Sequence, residues 1–301
     1  MSQSNDNADC ISEDKRFKFV DDLSFLEIIN LLSVGIASYN VRAHVPSDVP
    51  VHNQIIVPEN LESQKQLNNI NIWTKKMKMK LNEKKTKSII FNFSRKHQFI
   101  TKLSVNNQNI EVVKEAKLLG TILTDDLKWS KNTREIVRKS YARMQLLHRA
   151  SNFTSNVQDL KSIYLTYIRS VLEQSAVVWH SGLTLKNRRD LERVQKAAVR
   201  VILKEKYTTY KEGLRKLKIE TLDQRREQLC LKFAQNCLKN ERVSNFFPKK
   251  KNIHLMKKRK RQKFVINKTN TKRYKRSAIP YMQNLLNDEN ERKQNILKGF
   301  N

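Results

Sequence analysis

The hydrophobic pattern changes its period near Trp129, and this change limits the possible fold more than any other feature of the sequence. Before Trp129, apolar residues mostly alternate with polar ones in short runs, and one amphipathic helix is predicted over residues 59–81. After Trp129, apolar residues recur every three or four positions, which predicts helices over residues 132–150, 157–172, 185–203, 207–217 and 222–238. The chain of 301 residues is therefore predicted to have an α+β fold, with a mixed first part and a helical second part.

Four strands, two of them in a hairpin, are predicted between the first helix and Trp129. Ile89, Phe91 and Phe93 alternate with other residues, as in a strand. A hairpin is predicted over residues 103–105 and 110–112, with its turn at 106–109. Residues 116–123 are predicted to form one buried strand, in which Gly120 marks a bulge or the close approach of another backbone.

The charge balance points to a polyanionic partner. The chain has 60 Lys and Arg against 29 Asp and Glu, a net charge of +31, and an isoelectric point of about 10.1. Such a balance favours nucleic acid over a membrane surface as the partner. RNA or DNA is therefore the predicted partner, and no membrane association is expected.

The most basic segment lies near the end of the sequence. Residues 242–276 contain fifteen Lys or Arg and no Asp or Glu, and the densest run is Lys257, Lys258, Arg259, Lys260 and Arg261. Because like charges repel, this segment is predicted to be disordered unless bound. Three interpretations are open: a solvated segment, a nuclear import signal, or an arm that binds phosphates. A short amphipathic helix is predicted after it, over residues 277–286.

Several common classes of protein are excluded or disfavoured. With only 5 Gly and no glycine-rich phosphate loop, nucleotide binding of that kind is unsupported. Cys10, Cys230 and Cys237 form no disulfide framework, and the last two are predicted to pack in a core. Trp129 and Trp179 are likewise predicted to be core residues rather than base-stacking platforms. The polar, acidic N-terminus is unlike a signal peptide, so an intracellular location, nuclear or cytoplasmic, is expected.

Two adjacent carboxylates, Asp21 and Asp22, lie between short alternating hydrophobic runs. This pattern predicts a hairpin with the acidic pair at or near its tip. Two carboxylates held side by side repel each other, and Mg²⁺ is a hard cation that prefers such oxygen ligands. In two-metal phosphoryl transfer, carboxylates of this kind hold the ions that clamp the attacking and leaving oxygens. The alternative is an ordinary acidic surface turn.

The order of these and later motifs resembles a known family. Over residues 17–286 the chain is similar to the C-terminal half of the reverse transcriptase of non-LTR retrotransposons, in particular the jockey-like class. The motifs that carry the resemblance stand in this order: Phe19-Val20-Asp21-Asp22, a helix with Trp73, Leu81-Asn82-x-x-Lys85-Thr86, Lys117-x-Leu119-Gly120, Leu127-x-Trp129, a helix from Tyr164 that leads to Ser175 to Trp179, Leu191-Glu192-x-Val194-Gln195-Lys196-x-Ala198-x-Arg200, and Arg273 to Tyr281.

The resemblance implies a domain organisation as well as a fold. Residues 17–127 would form a partial reverse-transcriptase palm, a small antiparallel sheet with a helix, and residues 128–240 an α-helical, thumb-like domain. Residues 1–16 would be disordered, and residues 241–301 would form a basic tail with a short terminal helix. Val20 departs from the family, which more often has Ala at that position.

The resemblance also implies roles for individual residues. Asp21 and Asp22 would be catalytic and would hold Mg²⁺ or Mn²⁺, with a deoxynucleotide as substrate. Lys85 would contact or protonate the outgoing pyrophosphate; the alternative is a solvated lysine in a turn. Leu119 and Gly120 would form the primer grip, where a bare backbone approaches the primer. Nucleic acid would also contact Lys196, Arg200 and the run from Lys257 to Arg261, although Gln195, Lys196 and Arg200 could simply be an exposed helix face.

The sequence lacks some of the parts that the family's polymerase needs. Only twenty residues precede Asp21, and Glu13 and Asp14 are too near it to supply the separate strand that carries another palm carboxylate. The fingers have no room either. We therefore expect a reverse-transcriptase fragment that is inactive alone. One alternative is a non-catalytic, basic RNA- or DNA-binding protein derived from it; another is a basic interaction protein whose function does not involve nucleic acid.

Overall fold

A computed structural model describes residues 16–18, 23–25, 54–56, 62–79, 81–91, 93, 98–100, 103–249, 263–266 and 271–298. The chain divides into two compact units, Met1–Leu127 and Lys128–Asn301. In their described residues, the first contains short strands and one helix, and the second is helical. This mixture agrees with the α+β class at a coarse level, and the palm and thumb identities of the two units stay predictions. Of residues 1–16, predicted to be disordered, 1–15 lie outside the described residues, and Arg16 is the first residue of a strand.

The described residues of the first unit form paired short strands and one long helix. Its elements are β1 (Arg16–Lys18), β2 (Leu23–Phe25), β3 (Gln54–Ile56), α1 (Glu62–Lys76), β4 (Lys87–Ser88), β5 (Gln98–Ile100), β6 (Ser104–Val105), β7 (Gln108–Asn109), β8 (Glu111–Val112), β9 (Glu115–Leu118) and β10 (Thr121–Thr124). Strands β1 and β2, β6 and β7, and β9 and β10 pair antiparallel, whereas β3 pairs with β5, and β4 with β8, in parallel.

Helix α1 is shorter than the predicted span of residues 59–81 because its end is closed by a backbone motif. Lys78 adopts the left-handed conformation, with φ of 55°. The Met79 amide donates to the Thr74 carbonyl at 2.8 Å, and the Lys78 amide donates to the Lys75 carbonyl at 3.0 Å. This pair of backbone hydrogen bonds is the Schellman motif, which ends a helix.

The predicted hairpin near residue 106 is present but tighter than expected. Its turn consists of Asn106 and Asn107, both with positive φ (49° and 63°), which is typical of a two-residue type I′ turn. Strand β8, predicted to be the second strand of that hairpin, instead pairs with β4. The predicted strand through Ile89, Phe91 and Phe93 is wrong, because β4 ends at Ser88 and none of these three residues lies in a strand.

The prediction of one buried strand over residues 116–123 is wrong. The segment folds back on itself as β9 and β10, with Leu118 paired to Thr121. Leu119 and Gly120 form the two-residue turn, with φ of 47° and 82°. Gly120 thus marks a hairpin turn and not a bulge, because it supplies the positive φ that a tight turn requires.

The second unit is an assembly of helices. They are α2 (Ser130–Phe153), α3 (Val157–Ile163), a π-helical turn (Tyr164–Ile168), α4 (Arg169–Glu173), α5 (Ala176–Trp179), a 3₁₀ turn (His180–Gly182), α6 (Leu185–Leu203), a 3₁₀ turn (Lys204–Lys206), α7 (Tyr210–Leu217), α8 (Leu222–Cys237), α9 (Glu241–Ser244), α10 (Lys272–Lys275) and α11 (Ala278–Lys298). The five predicted helices are confirmed to within a few residues, and the second of them is interrupted by the π-helical turn.

Helices α2 and α6 lie side by side and run in the same direction. The Asn187 side chain donates to Ser130 Oγ at 3.3 Å near the start of both helices. The Lys204 ammonium donates to the Ser151 carbonyl at 2.5 Å at their ends. Trp179 is fully buried in the core of this unit, and Trp129 packs against the same core, so both predicted core positions are confirmed.

The tail predicted to be disordered is ordered in part. Phe247 and Phe264 are buried in a second core with Cys230, Cys237 and residues of α11, which packs against α8. The Asn287 side chain accepts from the Phe264 amide at 2.9 Å and donates to its carbonyl at 3.2 Å. Terminal helix α11 has 21 residues and is not the short one predicted. Apolar side chains between the cations anchor the segment, which charge alone did not indicate.

Candidate nucleic-acid interface

The sequence of helix α6 explains both where the helix begins and which of its faces is buried. Thr184 precedes it and accepts a hydrogen bond from the Asn187 amide at 3.2 Å, which is an N-cap contact. The buried residues recur at helical spacing and pack against the core, among them Leu191, Val194, Ala198 and Ile202. Burial of this apolar face fixes which side of α6 meets solvent.

The opposite face of α6 carries a row of exposed cations, which we call the α6 basic stripe. The stripe consists of Lys186, Arg189, Arg193, Lys196 and Arg200, all exposed. Their spacing alternates between three and four residues, so they lie on one face. At 1.5 Å per residue, the stripe is about 21 Å long.

The two acidic residues of α6 take little charge away from the stripe. Asp190 pairs with Arg193, with 3.1 Å between the carboxylate oxygen and the guanidinium nitrogen. The Glu192 carboxylate turns away, because it accepts from the Leu222 amide at 3.2 Å and from the Tyr210 hydroxyl. Exposed ion pairs such as the first contribute little energy, so Arg193 can exchange its partner for a phosphate.

The structure confirms an exposed position for Lys196 and Arg200 and corrects that of Gln195. Only 1% of Gln195 is exposed. Its amide oxygen accepts from the Tyr164 hydroxyl at 2.5 Å, and its nitrogen donates to the Tyr210 hydroxyl at 2.8 Å and to the Glu220 carbonyl at 2.9 Å. A buried amide needs such partners, and the chain supplies them from three other segments.

This buried network fixes the orientation of α6. It joins the helix to the π-helical turn through Tyr164 and to α7 through Tyr210. Burial raises the pKa of Tyr164 well above its usual value. Burial, followed by the hydrogen bond to Glu192, also raises the pKa of Tyr210. Both tyrosines therefore stay neutral at physiological pH, and the network holds the basic stripe toward solvent.

Further cations extend the positive surface beyond the C-terminal end of α6. The Arg200 guanidinium lies over the Tyr207 ring, 5.3 Å from its centroid. The exposed cations that follow are Lys204, Lys206, Lys211, Arg215, Lys216 and Lys218. The sequence interpretation missed Lys186, Arg189 and Arg193, although their helical spacing within the predicted helix was sufficient to group them with Lys196 and Arg200.

A second buried polar cluster lies around Arg226 of α8, whose side chain is fully buried. Its Nε donates to His180 Nδ1 at 3.3 Å, and one Nη lies 3.7 Å from an Asp223 oxygen. The guanidinium also lies 5.8 Å from the Trp179 ring centroid. Burial, together with the positive charges of Arg226 and Arg188, lowers the pKa of His180 to about 4. His180 is therefore a neutral acceptor at physiological pH.

The reverse-transcriptase resemblance implies three catalytic residues in the first unit. One of them, Lys85, lies in the turn that precedes β4. It is exposed, and its amide donates to the Asn82 carbonyl and to the Asn82 side-chain oxygen, both at 3.1 Å. Asp21 and Asp22 fall between the paired strands β1 and β2, in residues 19–22, outside the described residues. The catalytic role of these three residues stays a prediction.

The two residues predicted to be the primer grip form the tip of the β9–β10 hairpin. Leu119 is 40% exposed there. A leucine in the left-handed conformation is unusual, because its Cβ crowds the following carbonyl. The structure thus presents Leu119 and Gly120 on an exposed tip, and their contact with a primer stays a prediction.

The remaining predicted nucleic-acid-binding residues fall outside the part of the chain that the structure describes. Lys257, Lys258, Arg259, Lys260 and Arg261 lie in the undescribed segment 250–262. Among the described residues, no group of three or more His, Cys, Asp or Glu could hold a metal ion. None of the helices in that same part of the chain is long and apolar enough to cross a bilayer.

Comparison with known proteins assigns no family. No family model matches the chain, and no curated protein or solved structure matches it significantly.

Proposed function

We propose that the helical unit binds the phosphate backbone of RNA or DNA through the α6 basic stripe, with little dependence on base sequence. The observation that carries this proposal is the alignment of five exposed cations on one face of a helix whose other face is buried. The net charge of +31 supports the same class of partner.

The stripe is suited to phosphates rather than to base edges. Lys and Arg contact phosphate oxygens through charge-assisted hydrogen bonds, which fix position but carry no sequence information. Each phosphate that is neutralised releases condensed counterions, so affinity falls steeply with salt. Because Gln195 and the tyrosines hold α6 in place, the five cations do not have to be ordered from a flexible segment when the ligand binds.

The experiment compares two triple variants with the same change in charge. In the first, Arg189→Gln, Lys196→Gln and Arg200→Gln remove three cations of the stripe. In the control, Lys232→Gln, Lys239→Gln and Arg242→Gln remove three exposed cations outside α6. Binding to fluorescent duplex and single-stranded oligonucleotides is measured by anisotropy at 50–200 mM salt.

We expect the stripe variant to lose much more affinity than the control, and two oligonucleotides of unrelated sequence to bind the unchanged protein about equally well. Equal losses in both variants would show that affinity follows total charge and not the stripe. A strong preference for one sequence would contradict backbone binding.

A second candidate function follows from the order of motifs in the sequence. We propose that the chain is derived from a non-LTR reverse transcriptase and that Asp21 and Asp22 are its metal-binding pair, with Mg²⁺ or Mn²⁺ as cofactor and Lys85 near the pyrophosphate of a deoxynucleotide. The residues quoted for the resemblance support this proposal, and they lie in the same order as in that family.

The test is template-primed incorporation of deoxynucleotides beside an Asp21→Asn/Asp22→Asn control. Incorporation that the control loses would support an active metal site at this pair. Incorporation that the control retains would come from another source and would remove the pair from the mechanism. The expectation from the sequence is that the chain alone shows no incorporation above the control.

A further inference from the structure

Phe153, the last residue of α2, is the most exposed large hydrophobic side chain in the described part of the chain. Its exposed fraction is 91%, against 73% for Leu185 and 66% for Ile72. Covering a phenyl ring that is exposed to water lowers the free energy, so contact with a partner is favourable. A side chain with this exposure contributes little to the fold.

Phe153 lies at the end of a helix that is hydrogen-bonded to the segment following α6. Ser151, two residues before it, accepts a hydrogen bond from the Lys204 ammonium. Lys204 follows Arg200, the last member of the stripe, by four residues. The C-terminal ends of α2 and α6 are therefore tied together, with the phenyl ring on one and the stripe on the other.

The surroundings of Phe153 are cationic. Arg149 precedes it by four residues on the same face of α2, and both side chains are exposed. On the neighbouring segment Lys204 and Lys206 are exposed, with Glu205 between them. An aromatic ring flanked by cations is the arrangement that proteins use to hold a strand by its phosphates while stacking one of its bases.

We propose that Phe153 is a stacking platform for an unpaired nucleobase, at the point where a strand that follows the α6 basic stripe leaves it. This inference rests on the proposed binding of phosphates by α6 and adds a preference for single-stranded nucleic acid at one end of that surface. Stacking requires only the π-face that every base has, so it keeps the interaction independent of sequence. The positive charge around the ring favours this occupant over an apolar peptide.

The test uses two single strands of equal length, one with bases and one abasic but with the same phosphates. Anisotropy is measured for the unchanged protein, Phe153→Ala and Phe153→Trp, with Leu185→Ala as the matched loss of an exposed apolar side chain. Phe153→Ala is expected to weaken binding of the strand with bases about 5- to 100-fold and to leave binding of the abasic strand and the salt dependence unchanged. Phe153→Trp is expected to keep the affinity, with tryptophan emission quenched by the strand with bases only.

The outcomes separate this inference from the proposed function. If the α6 stripe variant loses salt-dependent binding but Phe153→Ala binds both strands as the unchanged protein does, the stacking proposal is wrong and the stripe remains. If Phe153→Ala weakens both strands equally, or Leu185→Ala has the same effect, stacking is also overturned. Self-association abolished by Phe153→Ala would assign the ring to a protein interface. Binding without salt dependence in every variant would reject the stripe, and the stacking site with it.

Discussion

Gln195 and Lys196 are neighbours in sequence but have opposite roles. Lys196 belongs to the exposed stripe, whereas Gln195 bonds the buried Tyr164, the half-buried Tyr210 and one backbone carbonyl. The sequence predicted the helix and the exposed cations, because both depend on local spacing. It did not predict the burial of Gln195, because its partners lie 15, 25 and 31 residues away along the chain.

Gln195→Ala is expected to lower the free energy of unfolding of the helical unit by about 2–4 kcal/mol, because it removes the acceptor of the buried Tyr164 hydroxyl and the donor to the Glu220 carbonyl, and opens a cavity. Lys196→Ala is the control and is expected to change it by less than about 0.5 kcal/mol. Urea unfolding followed by circular dichroism measures both. Similar values for the two variants would show that the network around Gln195 contributes no stability.

His180 makes the stability of the helical unit depend on pH. It faces Arg226, Arg188 and Asp223, with Tyr281 at 3.4 Å from Nε2. Its pKa is about 4 in the folded chain against an ordinary value of 6.5, so the unfolded chain binds more protons between these values. The free energy of unfolding is therefore expected to fall as pH falls from 6.5 to 4, by at most about 3 kcal/mol from this group.

The measurement is urea unfolding at a series of pH values for the unchanged protein and for His180→Gln, which cannot gain the proton. The variant is expected to lose less stability between pH 6.5 and 4. If both chains lose stability in parallel through this window, His180 does not titrate as the structure indicates.

The β9–β10 hairpin is an element that the sequence did not predict. Residues 116–123 have the composition of one buried strand, and Leu119 is not a residue that favours a turn. Gly120 was the only local signal, and it is compatible with a bulge as well as with a turn. Pairing across the hairpin decides between these, because it places Leu118 opposite Thr121.

Substitutions in this turn are expected to act in opposite directions. Gly120→Ala should lower the free energy of unfolding of the first unit by about 1 kcal/mol, because alanine resists a φ of 82°. Leu119→Asn should raise it by several tenths of a kcal/mol to about 1 kcal/mol, because asparagine tolerates the left-handed conformation better. Hydrogen exchange of the β9 and β10 amides measures the local change. Faster exchange in Leu119→Asn would contradict a type I′ turn here.

The whole chain combines a large positive charge with ordered packing. A net charge of +31 opposes compaction through self-repulsion, yet the helical unit has a continuous core and anchors Phe247 and Phe264 of its basic tail in a second one. Composition predicted the class of partner from that charge. It did not predict where the charge is organised, because the organisation depends on the buried face of α6 and on the tyrosines that fix its orientation.

The α6 basic stripe, where this charge is organised, is proposed to contact phosphates. The most direct test is the slope of log affinity against log salt concentration for a duplex, compared between the Arg189→Gln/Lys196→Gln/Arg200→Gln variant and the Lys232→Gln/Lys239→Gln/Arg242→Gln control. Three lost phosphate contacts should make the slope of the stripe variant shallower by about 2.7, with a much smaller change in the control. Equal slopes for the two variants would contradict the account.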